Sequence, residues 1–490
     1  MEKLHKQKYW VTFIFLLFSL VFSPLAAHAE DTSLTDIQEK GTLVIGTSAD
    51  FPPYEFHTTI DREDTIVGMD ISIVKRIAED LGVELQIEDM GFDSLLPALE
   101  SKKVDLVIAG MTPSPERQKS VDFSDIYYRS GQNIVIRESD QSIYTSKESL
   151  KGLRIGAQAG SIQENLANQI EDAEIVKLTH LSDLLLALKT NKLDAIVMEK
   201  PNAESHTGSD SSIVTFDGKF NTEEAGEGSA IAVRKNSPSL IEAINASLAD
   251  MEEQDLIEEF MAETGQYLNS PEEAEETSFM SEYGSLFLKG AINTVGISLI
   301  SVFIGLIIGV ILALLRLSDN WILKTLATAY VEFVRGTPLM IQIMFVYFAI
   351  GYLINLPALA SGIIAVSLNS GAYICEIIRS GLNSVPVGQV EAARSLGMSK
   401  QTALRYITFP QALKNIWPAL GNEFITIIKE SSIVSIIGVS ELIFQTRVVT
   451  SISYRGILPL FITMIIYFIL TFSLTKLLNY YERKMAYDKN

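Results

Sequence analysis

Between Thr42 and about Gln266, short apolar runs alternate with stretches whose apolar residues recur at helical spacing. Runs bounded by turn residues read as buried strands and the others as amphipathic helices, an order that predicts parallel sheets covered by helices. The predicted strands are Leu43 to Thr47, Glu84 to Glu88 and Val104 to Ala109, with helices Ile71 to Leu81 and Ser94 to Ser101 between them. The series then begins again, with strands Arg154 to Ala157, Glu174 to Leu178 and Ala195 to Met198 and helices near Ile162 to Ile170 and Ser182 to Thr190. "KKVDLVIAGM" (102 to 111) and "NKLDAIVMEK" (191 to 200) echo each other in a Lys, an Asp and an apolar strand. The doubled pattern predicts two similar α/β lobes, with Gly110 and Glu199 meeting in a shared cleft beyond the carboxyl ends of the strands.

A helical segment ending near Gln266 is followed by the acidic "NSPEEAEETS" (269 to 278), which has no apolar face and reads as a linker. Five long apolar runs then cover about 288 to 315, 337 to 355, 357 to 378, 416 to 438 and 457 to 478, each long enough to span a bilayer as a helix. The expected order is thus a signal segment over 1–29, a binding domain over 30–267, a linker over 268–284 and a membrane domain of about five spans over 285–490.

The net charge of −21 over 490 residues is concentrated before Met280, and the membrane half is mildly basic, which argues against nucleic acid as a partner. Lys3, Lys6 and Lys8, an apolar run from Trp10 to Phe22, and Ala27-His28-Ala29 have the form of a secretory signal with a cut after Ala29. Left uncut, it would be a short anchor; either way the domain after it lies outside the cytoplasm. Segments 316 to 336, 379 to 415 and the tail carry Arg316, Lys324, Arg335, Arg379, Arg394, Lys400, Arg405 and Lys414 among other cations, against Arg447 and Arg455 in the opposite turns. The excess of cations on the inner side agrees with the signal segment. Cys375 is the single cysteine, so no intramolecular disulfide forms.

The polar stretch "VEAARSLGMSKQTALRYITFP" (390 to 410) interrupts the membrane half. Pro386 ends what precedes it, Gly397 stops a first helix as a left-handed cap, Ser399 caps a second running toward Thr408, and Pro410 opens the next span. Read from the residues alone, this is either a helical connector or a docking element at the inner face. Glu391, Ala392, Ala393 and Gly397, followed by Ile407 and Pro410, resemble the EAA loop of binding-protein-dependent ABC importer permeases, with Phe409 where that family usually has Leu. "YVEFVRGTPLMIQ" (330 to 342), "LNSGAYICEIIRSG" (368 to 381) and "LGNEFITIIKESS" (420 to 432) are similar to the polar amino acid branch of these permeases. The resemblance implies that the loop docks on a cytoplasmic ATPase and that two copies of the membrane half form the pathway, most simply a homodimer. Glu376, Glu423, Lys429 and Glu430 are ionisable groups near or within spans, where charge is costly. No G-x-x-x-x-G-K-[ST] phosphate cradle occurs, so the ATPase is a separate subunit that binds ATP and Mg, and this chain carries no cofactor or metal of its own.

"LVIGTSADFPPYEF" (43 to 56), "GMDISIVKRIAEDLG" (68 to 82) and "GFDSLLPALESKKVDLVIAGMTPSPERQKSVDFS" (91 to 124) resemble the two-lobed amino acid binding proteins of the same importers. The resemblance implies a type II binding-protein fold whose cleft holds a zwitterion. It places Arg117, Thr112, Gly160 and Ser161 on the α-carboxylate, Glu199 and the Gly110 carbonyl on the α-ammonium, Phe51, Tyr54 and Phe92 as pocket walls, and Gln158 on a polar ligand side chain. Glu199 stands where Asp is usual. Asp50 and Glu55 are nearby anions, and Asp70 reads as a helix N-cap outside the site.

The function expected is the binding and permease subunit of an ATP-driven importer of arginine-like or glutamine-like amino acids. It would sit in the cell membrane of a single-membrane bacterium, with the trap outside and the C-terminus inside. The rival is a ligand-gated receptor or channel with a sensor of this fold, though here the trap is complete before the first span. An enzyme on the same fold finds no support, because no acid/base pair stands out and His57 falls in a stretch that reads as loop.

Overall fold

The structure, a computed structural model, describes residues 31–60, 63–223, 226–268, 279–453 and 455–487. The expected signal segment and the acidic stretch 269–278 lie outside the described residues.

The strands in chain order are β1 (Thr42–Thr47), β2 (Asp50–Phe51), β3 (Glu55–Ile60), β4 (Glu63–Val67), β5 (Glu84–Asp89), β6 (Leu106–Val107), β7 (Val121–Tyr128), β8 (Gln132–Arg137), β9 (Arg154–Gln158), β10 (Glu174–Leu178), β11 (Ala195–Glu199), β12 (Ile213–Asp217) and β13 (Ser229–Arg234). One lobe is built on the sheet β5-β1-β6-β13-β7 and the other on β10-β9-β11-β8-β12, while β2-β3-β4 form a small antiparallel sheet on the first lobe. β1 pairs in parallel with both β5 and β6, whereas β13 returns from the second lobe to run antiparallel between β6 and β7. Central β1 is buried along nearly its whole length, while edge strand β5 alternates in exposure, as expected when neighbours cover one strand on both sides. Helix Met69–Leu81 packs its apolar face on the first sheet and ends at Gly82 (φ 69°), whose αL conformation suits a residue without Cβ.

The internal echo proves to be geometric. Lys102 and Asn191 both take positive φ (58° and 59°), and each turn leads to an aspartate that binds the start of a parallel strand. Asp105 Oδ2 accepts from Val44 N at 3.0 Å in the first lobe, and Asp194 Oδ2 accepts from Arg154 N at 3.0 Å in the second. The predicted strand Val104 to Ala109 shortens to β6, and the antiparallel strands β7, β8, β12 and β13 join the lobes. His57 lies in β3 rather than in a loop, with its Nδ1 2.7 Å from Asp64 Oδ1 and its Nε2 2.9 Å from Asp89 Oδ2. Burial opposes its charge, but the ring's hydrogen bonds to these two carboxylates raise its pKa to about 10.

Helix Phe279–Leu317 opens the membrane half, followed by Trp321–Arg335, Leu339–Met344 continuing through a π turn to Leu353, Ala358–Asn383, Phe409–Glu430, Leu442–Ser453 and Ile457–Tyr487. Among the described residues three helices are long and apolar enough to cross a membrane, or four if the pair bent by 110° at Gly336–Pro338 counts as one span. The expected span 416 to 438 is helical to Glu430 and then 3₁₀ to Ile437. Its Asn422, Glu423, Lys429 and Glu430 make it more polar than the other spanning helices.

The lobes rest on the membrane half. Lys103 Nζ donates to Leu356 O at 2.7 Å and lies 5.1 Å from the Tyr347 ring centre, and Lys102 Nζ lies 5.6 Å from that of Tyr352. Phe348 packs against the first-lobe core, and the His57 and Phe444 rings meet edge to face at 6.2 Å. From the second lobe, Leu186 closes on Gly456, where a Cβ would come within 2.5 Å of it.

Candidate functional site

The cleft between the lobes begins at the β2–β3 turn. Phe51 stacks on Tyr54 at 5.2 Å, and Tyr54 meets Tyr128 edge to face at 5.9 Å. Gly110, just beyond β6, has φ 53°, and a Cβ there would lie 2.8 Å from Phe51 Cε1, so glycine is required by both backbone and space. Its N–H donates to Asp70 Oδ2 at 2.9 Å, and the Tyr127 hydroxyl donates to the same oxygen at 2.8 Å. Asp70 makes no capping bond to its helix, whose N-cap is Gly68; the side chain instead holds the cleft backbone, which corrects the sequence reading.

Arg117 opens a short 3₁₀ turn and is buried. Its Nη1 donates to Thr112 O at 2.7 Å and its Nη2 to Gly160 O of the second lobe at 2.8 Å, with the guanidinium 5.3 Å from the Phe92 ring centre. Burial lowers it to about 10, so it stays cationic at neutral pH with no anion against it among the described residues. Phe51, Phe92, Gly110, Thr112, Arg117, Gln158 and Ser161 line one narrow pocket. Gly160, with Asp93 and Glu116, lines a wider adjoining space of about 290 Å³ that Phe92, Arg117 and Ser161 share. In the second lobe Gln158 Nε2 donates to Thr179 O (3.1 Å), Ser161 Oγ to Gln158 O (2.7 Å) and Gly160 N to Glu164 Oε2 (3.2 Å).

Tyr54 and Glu199 sit behind this wall rather than on it. Glu199, at the end of β11, is buried, accepts a short hydrogen bond from Ser130 Oγ and lies beside the Tyr54 hydroxyl. Burial pushes its carboxyl up to about 7, against the pull of Ser130 and Tyr54. Asp50 does not face the cavity: its Oδ2 accepts from Leu181 N at 3.0 Å across the lobes. Glu55 is fully buried beneath the cleft. With Asn202 Nδ2 donating to Pro52 O at 2.6 Å, these three inter-lobe hydrogen bonds among the described residues hold the cleft closed. Sequence reasoning missed Ser130 and Tyr127, which carry no motif; their signal is proximity brought about by the β7–β8 crossover.

At the other end of the molecule, Val387–Ser395 is a helix closed by Gly397 (φ 84°), with Gly397 N donating to Arg394 O at 3.0 Å and Met398 N to Ala393 O at 3.2 Å. Ser399 Oγ accepts from Thr402 N at 3.1 Å and caps the next turn. Ala393 is buried against the rest of the membrane half, while Glu391, Ala392 and Leu396 are exposed. Glu376 is not free: Arg316 Nη1 and Arg379 Nε bind its carboxylate at 3.0 and 2.9 Å.

Residues 43–264 match the bacterial extracellular solute-binding proteins, family 3, and residues 305–487 match the binding-protein-dependent transport system inner membrane component. The chain is 40% identical over 220 residues to the arginine-binding extracellular protein ArtP of Bacillus subtilis, a match covering 44% of this chain and 82% of that protein. It is 38% identical over 200 residues to the arginine transport system permease protein ArtQ of the same organism, covering 40% and 91%. With the glutamine transport system permease protein GlnP of Escherichia coli the identity is 34% over 203 residues, covering 41% and 93%.

Proposed function

Because the chain belongs to the family 3 solute-binding proteins in its first half and to the inner membrane components of binding-protein-dependent transport systems in its second, we propose that it captures a polar amino acid and passes it through its own membrane half. The observation that carries the reading is Arg117, a buried guanidinium in a closed inter-lobe cleft, bound by two carbonyls from opposite lobes. A planar fork of donors in that position suits the α-carboxylate of a zwitterion. Thr112 and Ser161 assist it, the Gly110 carbonyl takes the ammonium with Glu199 behind the wall balancing its charge, Phe51 and Phe92 wall the pocket, with Tyr54 behind Phe51, and Gln158 meets the side chain.

Asp93 and Glu116 in the adjoining space favour a cationic end, so an arginine-like ligand is the first choice. The trap lies outside the cell. The membrane half pairs with a second copy, and a separate ATPase docks on Glu391, Ala392, Ala393 and Gly397, which present an exposed helix end closed by a tight turn. Glu423, which has no ion pair among the described residues, is best accommodated facing water or the second copy.

Reconstitution of the chain with its ATPase in liposomes tests this. Accumulation of labelled L-arginine that requires ATP on the ATPase side is the expected result. An amino-acid-gated ion current without ATP-dependent accumulation would favour the receptor or channel instead.

A further inference from the structure

One helix of the membrane half touches both lobes of the trap. Leu442–Ser453, about 18 Å long, packs on β3 of the first lobe and on helix Leu181–Lys189 of the second. A glycine on each flank of this helix is pressed against a different lobe. Gly438, before it, has φ 79°, and a Cβ there would lie 2.3 Å from Asp89 O of the first lobe. Gly456, after it, would place a Cβ 2.5 Å from Leu186 Cδ1 of the second. Between the two, Phe444 meets the His57 ring at 6.2 Å, and Arg447 lines a space shared with Asp50 and Asp89 of the first lobe and His180 of the second. Asp50 is also the residue that joins the lobes there, its Oδ2 accepting from Leu181 N at 3.0 Å. The seam between the lobes therefore lies over the helix.

We infer that helix Leu442–Ser453 gauges the spacing of the lobes, so that each membrane half docks the closed trap of its own chain by both lobes instead of sharing it with a second copy. A helix cannot follow two bodies that move apart. With Gly438 and Phe444 seated on the first lobe, parting the lobes draws Leu186 off Gly456, and only a closed trap meets both ends. No surface of a second copy is needed to complete either contact. The last helix of the trap ends at Leu268 and the first membrane helix starts at Phe279. Their tether, about 40 Å at full stretch, makes docking within one chain an intramolecular event. This arrangement goes beyond the proposed uptake and does not depend on which amino acid is carried.

The second-lobe contact gives the test. A Cβ on Gly456 would lie 3.1 Å from Leu186 Cβ, close to the roughly 3.8 Å between the Cβ atoms of a disulfide. The full chain is made with Leu186→Cys, Gly456→Cys and Cys375→Ser, and with a protease site inside 269–278. After oxidation in the membrane and cleavage, trap and membrane half should stay joined at the mass of one chain until a reductant is added. Co-expressed chains carrying one of the two cysteines each should give no disulfide. A disulfide-linked band at the mass of two chains, or no disulfide in a double variant that melts like the unaltered chain, would overturn docking within one chain. Asn202→Ala removes the inter-lobe bond to Pro52 O, and Asn202 lines neither space beside the helix. At a temperature where the chain is folded, the disulfide should form at least several-fold more slowly in this background. An unchanged rate would overturn the gauging of the lobes.

Discussion

Arg117 and Gly110 show two ways in which one residue sets the cleft. Truncating Arg117→Ala removes charge-assisted hydrogen bonds worth about 1.5–3 kcal/mol, so affinity for every amino acid ligand should drop roughly 10- to 100-fold, as calorimetry on the full chain will show. Gly110→Ala forces a Cβ into the left-handed region, at about 1–2 kcal/mol, and against Phe51. A lower melting temperature and weaker binding are both expected, and an unchanged Kd would mean that Phe51 does not wall the site. Arg117, Phe51 and Phe92 were legible because their motifs are local. The role of Asp70 was not, since its partners Gly110 and Tyr127 are far along the chain and meet it only when the sheet forms. A carboxylate at the start of a helix looks the same in sequence whether it caps that helix or holds a distant loop.

At the scale of elements, the doubled lobe was readable because a parallel strand buried on both faces leaves a continuous apolar run, as in "LVIG" and "AIVM". The antiparallel hairpin of β3 and β4 was not, because "EFHTTI" carries polar groups that are satisfied only after pairing, His57 by Asp64 and Asp89 among them. The same cause hid the weakness of the 416 to 438 span as a lipid-facing helix. The helix-turn-helix at 387 to 410 followed from its caps. Gly397→Val tests it cleanly, since φ 84° strains any side chain while nothing lies within 4 Å of the new Cβ. Ligand binding should persist in this variant, and ligand-stimulated ATP hydrolysis with the partner ATPase should fall several-fold; normal stimulation would remove the turn from the coupling path.

Across the whole molecule, the contact between trap and membrane half rests on a turn that in sequence is an ordinary solvated pair of lysines. Lys103 is drawn into that contact by the Leu356 carbonyl and the Tyr347 ring, and burial lowers its pKa there. Lys103→Glu should leave ligand affinity unchanged while uptake in liposomes falls at least several-fold; full uptake would mean that this contact is not used in delivery. No pattern along the chain announces such a contact, because its energy depends on two surfaces that only the finished fold brings together. The central claim is that a cleft built around Arg117 captures a polar amino acid for the membrane half. Titrating the purified full chain with the twenty amino acids tests it most directly. Saturable binding of L-arginine or another polar amino acid at one per chain, abolished or greatly weakened in Arg117→Ala, is the result predicted. A folded chain that binds none of the twenty, or binds equally well without Arg117, would contradict it.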